Sequence, residues 1–241
     1  LLIIPLNIFC MASFPKKVNL RITQKCNANC SYCFSKKSIP ELALAEFEKI
    51  FVFLKGKGVK IVGISGGEPL IFSQIDEALK KLKELGFEVC LDSNGDYFFE
   101  HAQAILNNVD CLGLPVDFVG RSYRNDNNFE MVKKILVFLK QNPSNVQVKI
   151  GTVVTKDNNE KIEEIGKFLS KYRIALWTLY KLVPLNISKH KFNRLKVSDT
   201  KFWRAVDSAM KFYKRIRINI NTPQKMNRSY FFIECNGDLI I

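Results

Sequence analysis

Six short apolar runs, each trailed by a stretch of helical spacing, recur along this chain and leave few folds open to it. The runs are "KVNLRI" (17–22), "VKIVGIS" (59–65), "FEVCLDSN" (87–94), "VDCLGLPVD" (109–117), "VQVKIGTVV" (146–154) and "ALWTLYKLV" (175–183). Between them, residues 40–55 place Leu42, Phe47, Ile50, Phe51 and Leu54 at helical spacing behind Pro40, and Gly56 and Gly58 end the helix. Further helices are expected near 73–85, 97–107, 127–141 and 158–171. Strands alternating with helices imply a parallel sheet with right-handed crossovers, and strands apolar throughout fit a sheet covered on both faces. Six units fall short of an eight-fold barrel. The expected fold is α/β, an incomplete (β/α)6 TIM-like barrel over 17–186, preceded by an extension (1–16). Residues 187–199 break the pattern with basic and polar residues, and a helix follows near 200–214. The tail reads as strands around an Asn236-Gly237 turn. This C-terminal extension (187–241) is expected to close the open side.

In folds of this kind ligands gather at the carboxyl ends of the strands. Cys26, Cys30 and Cys33 follow the first strand, "SGGEP" (65–69) the second and "DSNG" (92–95) the third. The fourth ends in "PVD" (115–117) and the fifth in Thr155-Lys156, while the sixth carries Trp177, Tyr180 and Lys181. One end of the sheet thus collects the glycine-bearing and ligand-type residues.

Three thiols from one short loop suit an iron–sulfur cluster better than zinc. A four-iron cluster normally takes four thiolates, so three leave one iron open to an external ligand. Structural zinc asks for a closed set of four. His101 and His190 stand far off without ligand-type neighbours. The other cysteines, Cys10, Cys90, Cys111 and Cys235, sit in apolar or strand-like surroundings and read as small buried hydrophobes. Seven cysteines in 241 residues make a poor disulfide framework, and a reducing cytoplasm is expected. No run reaches the roughly 18 apolar residues of a membrane span. The apolar start lacks the features of a signal peptide, and Met11 is a plausible first residue. The formal charge of +14 suggests an anionic partner. Much of it lies on helix faces such as "KKLKEL", and Lys149, Lys156 and Lys181 are expected to converge on a small anion in the barrel mouth.

Cys26-x-x-x-Cys30-x-Tyr32-Cys33 after a first strand, with Ser65-Gly66-Gly67-Glu68-Pro69 after a second, resembles the radical S-adenosylmethionine enzymes. The resemblance implies a [4Fe-4S] cluster on Cys26, Cys30 and Cys33 whose free iron is chelated by S-adenosylmethionine. Its reductive cleavage would give a 5′-deoxyadenosyl radical, with an electron donor of flavodoxin or ferredoxin type as partner. Gly66 and Gly67 would let backbone approach the methionine moiety, with Glu68 orienting that end. Tyr32 would lie near adenine, Ser93, Asn94 and Asp117 near the carboxylate or ribose, and Val154 against adenine.

"CNANCSYCF", "SGGEPL", "KIGTVVTKDN" (149–158) and Gln224-Lys225-Met226-x-x-Ser229-Tyr230 are similar to stretches of the viperin-like nucleotide dehydratases. These imply antiviral-type dehydration of a nucleoside triphosphate. Lys149 and Tyr230 would be catalytic and in contact with the nucleotide, and Lys225 would help place phosphates. The family pattern also flanks a sixth-strand tryptophan with basic residues. Leu176-Trp177-Thr178 lacks both, and Thr155 replaces an asparagine. Either Lys156, Lys181 or Arg228 rebuilds the clamp, or the substrate is not a triphosphate. A radical enzyme acting on a peptide or protein would usually carry further cysteines near the C-terminus. One acting on tRNA would suit the charge but would usually add an RNA-binding module, of which no signature is present.

Overall fold

The computed structural model describes residues 14–33, 40–120, 128–226 and 231–240. The six expected strands are present as β1 (Lys17–Thr23), β2 (Ile61–Gly66), β3 (Glu88–Asp92), β4 (Cys111–Pro115), β5 (Gln147–Val154) and β6 (Leu176–Lys181). The helices that follow the first five are α1 (Leu44–Gly56), α2 (Ile75–Glu84), α3 (Ala102–Asn108), α4 (Asn128–Gln141) and α5 (Ile162–Leu169). Consecutive strands pair in parallel from β1 to β6, the layout of an open α/β barrel.

The C-terminal segment joins the same sheet at both edges. β7 (Ile218–Asn221) pairs in parallel with β6, and β8 (Phe232–Ile233) pairs in parallel with β1. A short β9 (Leu239–Ile240) turns back on β8 across Gly237, whose φ of 87° suits a residue without Cβ. Two helices precede β7: α6 (Lys189–Leu195), inside the stretch read as irregular, and α7 (Asp199–Met210). Ser188 caps α6, its Oγ accepting the Lys191 N–H at 3.3 Å. A single turn, α8 (Pro223–Met226), follows β7.

The register divides the sheet into two chemistries. Leu20, Ile64, Leu91, Leu112 and Val148 share one level and one face, buried against the helices. One residue on, Arg21, Ser65, Asp92, Gly113 and Lys149 share the next level and point the opposite way. That inner face is polar. Gly113 sits where a Cβ would collide with the Asp92 carboxylate, so a side chain there would displace Asp92. Apolar strand runs thus conceal a second face that faces the barrel interior.

Candidate active site

The cysteine loop is built by close backbone contact. Beyond β1, the Thr23 carbonyl accepts the Gly67 N–H and the Lys25 carbonyl accepts the Glu68 N–H, both at 2.8 Å. A Cβ on Gly66 would strike the Thr23 carbonyl, and one on Gly67 the Lys25 carbonyl. The paired glycines therefore let the β2 turn lie directly on the loop that carries the thiols. Glu41, ahead of α1, accepts from Thr23 Oγ1 at 2.5 Å and from the Gln24 N–H at 3.2 Å. Within the loop the Ala28 N–H donates to Cys26 Sγ at 3.4 Å, and the Cys33 N–H donates to the Cys30 carbonyl at 3.1 Å. None of the three forms a disulfide among the described residues, and all are at least partly exposed.

Glu68 is fully buried. Its carboxylate accepts from Ser93 Oγ at 2.7 Å and from the N–H groups of Asn94 (2.6 Å) and Leu70 (3.1 Å). Burial raises its pKa, with those hydrogen bonds opposing the rise. An orienting role for Glu68 would therefore run through the β3 turn that it holds. Its carboxylate holds the β3 turn in place, and Ser93, which also accepts the Gly95 N–H at 2.9 Å, is part of that support. Asn94 reaches the cysteine loop itself: its Nδ2 donates to Asn27 Oδ1 at 2.8 Å, while Asn27 Nδ2 donates to Asp96 at 2.6 Å. Asn27 is a positioning residue that the sequence reading passed over.

Tyr32 and Asp117, assigned separately from the sequence, meet. The Tyr32 hydroxyl donates to the Asp117 carboxylate, which also accepts the Val153 N–H at 2.8 Å. The Tyr32 ring packs with Leu182 and Leu195, and Cys30, Val153, Ile187 and Phe192 close around them. Val153, not Val154, is thus the β5 residue beside the loop. Val154 is fully buried on the helix-facing side of the sheet, because strand parity alternates the two.

The lysines do not converge. Lys149 is on the inner face, its Nζ 3.9 Å from Cys90 Sγ. Lys156 is exposed and donates to the Asn193 carbonyl at 3.1 Å. Lys181 pairs with Asp199 and lies 5.7 Å over the Phe202 ring. Opposite Val154 in register, it is on the helix-facing side and about 16 Å along the sheet from Lys149. Lys225 is exposed on α8. Tyr230 and Arg228 lie outside the described residues.

Around Lys149 the inner face carries charge. Cys90 and Cys111 are in-register neighbours on β3 and β4. The Cys90 thiol is pulled down to about 7 by its hydrogen bond with Cys111 and by the Lys17 and Lys149 cations, against the effect of burial. Burial alone would lower Lys149, but the two thiols and Asp92 outweigh it and hold its pKa up. Asp92 keeps exposed surface, and the protein packed around it raises its pKa against the pull of Lys17 and Lys149. Reading Cys90 and Cys111 as plain hydrophobes missed this setting. The signal was their odd-numbered offset from the apolar face, legible only with the register in hand.

A second buried pair ties the sheet edge to this region. Arg21, on the inner face, donates to Glu234 at 2.7 Å and lies 4.9 Å over the Phe232 ring, and Gln24 donates to the same carboxylate at 3.2 Å.

Comparison with known proteins gives three likenesses. Residues 20–169 match the family described as the Radical SAM superfamily. An "S-adenosylmethionine-dependent nucleotide dehydratase" of Selenomonas ruminantium is 25% identical over 93% of this chain and 85% of that protein. A "GTP 3',8-cyclase" of Chlorobaculum tepidum is 31% identical over 60% of this chain and 47% of its own length. Among solved structures, Streptococcus suis SuiB bound to S-adenosylmethionine superposes with a TM-score of 0.77 at 18% identity. That superposition covers 95% of this chain and 60% of SuiB, so the chain spans less than two thirds of that protein.

Proposed function

Because this chain belongs to the radical SAM superfamily, we propose that it removes a hydrogen atom from a nucleotide held in its open barrel. The resulting radical expels a neighbouring hydroxide, protonated to water, and one electron from an external carrier then closes the product, so the nucleotide loses the elements of one water overall. The observation that carries this reading is the Lys149 cation on the inner face, beside Asp92 and the Cys90–Cys111 pair, a positive charge that an anionic substrate reaching into the interior would meet. Similarity to a nucleotide dehydratase over most of the chain, and to a GTP cyclase over part of it, supports a nucleotide over a peptide.

The cofactor site fits its residues. Cys26, Cys30 and Cys33 would hold the [4Fe-4S] cluster, as three thiols outside any disulfide on one loop, with a backbone N–H donating to one sulfur. Among the described residues no three His, Cys, Asp or Glu side chains gather around one point to hold a single ion. A cluster instead spreads its thiolates over separate irons. S-adenosylmethionine would lie between that loop, the Gly66-Gly67 turn, Asn94, and the wall of Tyr32, Asp117 and Val153. When bound, the cluster and S-adenosylmethionine together supply a 5′-deoxyadenosyl radical able to take a hydrogen atom from a ribose carbon.

The chain's own residues do the rest. The glycine turn and Asn27–Asn94 contact fix the loop relative to β3. The Tyr32–Asp117 bond holds β4 and β5 against it. Lys149, kept protonated by its neighbours, neutralises substrate charge and presents a proton at Nζ toward a departing hydroxyl. By their resemblance to the nucleotide dehydratases, Tyr230 and Lys225 would contact the nucleotide.

The test is anaerobic incubation of the reconstituted protein with S-adenosylmethionine, dithionite and a panel of nucleoside mono-, di- and triphosphates. Acceleration of 5′-deoxyadenosine release by one nucleotide, with a product lighter by one water, is expected. Release stimulated by no nucleotide would overturn the substrate assignment.

A further inference from the structure

The chain's charge is concentrated in one place. Residues 187–217 contain ten Lys and Arg against two Asp, more than half of the formal excess of +14. The cations within this stretch differ in company. On and after α7, Lys201 pairs with Glu160 at 3.6 Å and Lys211 with Glu163 at 2.5 Å, while Arg204, Lys214, Arg215 and Arg217 are exposed and meet no carboxylate among the described residues. On α6 and its flank, Lys189, Lys191, Arg194 and Lys196 are all exposed, and among the described residues none of them meets a carboxylate. Such a concentration of like charge on one short helix has an electrostatic cost, which an anionic partner would relieve.

Position makes the partner specific. α6 buries Leu195 and leans Phe192 and Ile187 on the cluster of Tyr32, Leu182 and Cys30. The basic helix therefore stands directly beside the loop that carries the three thiols. Its four cations are exposed. Leu185, just ahead of the helix, is 54% exposed and offers an apolar contact within the basic rim. Seven helical residues extend roughly 10 Å, enough to meet one acidic patch but short for a polynucleotide track. The proposed reaction needs an electron from outside the chain, delivered close to the cysteine loop.

We propose that α6, with Lys189, Lys191, Arg194 and Lys196, is the docking surface for an acidic one-electron carrier protein of flavodoxin type. The proposal rests on the functional reading above. Docking steers the carrier by charge and brings its redox group to the face where Cys30 lies.

The test uses the reconstituted holoenzyme and its K189E/K191E/R194E variant, with two reductants compared on each. These are dithionite, which needs no docking surface, and enzymatically reduced flavodoxin. Cleavage of S-adenosylmethionine to 5′-deoxyadenosine is the readout. With dithionite the two proteins are expected to match. With flavodoxin at low salt the variant should lose at least tenfold in kcat/KM, and the wild-type rate should fall as salt rises. Equal flavodoxin-driven rates would overturn the docking assignment while leaving the functional reading intact. Wild type inactive with both reductants would overturn the functional reading and the proposal with it. Tight binding of tRNA at physiological salt, lost in the variant while its flavodoxin-driven rate is unchanged, would assign the surface to nucleic acid and also overturn it.

Discussion

Cys90 shows how much one residue's chemistry depends on its neighbours. In isolation it is an apolar-run cysteine; in the sheet it faces Cys111, with Lys149 3.9 Å away. Its pKa is lowered from 9.0 to about 7, first by the Cys111 hydrogen bond and then by Lys17 and Lys149. Because the folded value is the depressed one, the ionised thiol contributes stability above pH 9 that is lost as pH falls through 7. Labelling of Cys90 by iodoacetamide, quantified on its peptide by mass spectrometry, should rise with pH and reach half its maximum near 7. Lys149→Gln should move that midpoint upward. An unmoved midpoint would remove Lys149 as a cause. Sequence alone shows two cysteines 21 residues apart, and no local pattern announces that they are neighbours.

At the scale of elements, the strands were legible and their partners at the edges were not. The period of apolar residues marks β1 to β6 within a few residues. The small helix α6 escaped it because its buried stripe amounts to Phe192 and Leu195, too few to raise a periodic signal in a basic stretch. β8 docks on β1 through a buried ion pair rather than a long ladder. Arg21 and Glu234 have side chains only 10% and 4% exposed, and two residues of β8 share the strand register. Removing one partner of a buried pair strands the other charge. Glu234→Ala should therefore lower unfolding free energy by about 3–5 kcal/mol, read as a shift of the urea midpoint, and loosen the C-terminal edge to proteolysis. A midpoint within error of wild type would mean that Arg21 finds equal compensation elsewhere.

For the whole molecule, strand parity decides which lysines can serve a substrate inside the barrel. Lys149 points inward, while Lys181, opposite Val154, points to the helices and pairs with Asp199. Lys156 reaches the Asn193 carbonyl on α6. Lys149→Ala is therefore expected to raise the KM of the accelerating nucleotide tenfold or more. Lys156→Ala and Lys181→Ala should leave it within twofold. Equal effects from all three would restore the convergent cation site that the strand-end positions suggested.

Local pattern alone is enough to read the fold class and the thiol loop with its glycine turn. Each is encoded locally: periodicity in the strands and helices, and a short spacing in the loop that no other segment needs to complete. Only the tertiary structure decided which side chains share the interior. That turned on register, since a shift of one residue exchanges Val153 for Val154 and sends a lysine from the interior to the outer face. It also decided that Glu68 supports the β3 turn, because its hydrogen-bond partners lie some 25 residues away in the chain. The meeting of Arg21 with Glu234 spans 213 residues, and no local rule reads a contact at that distance.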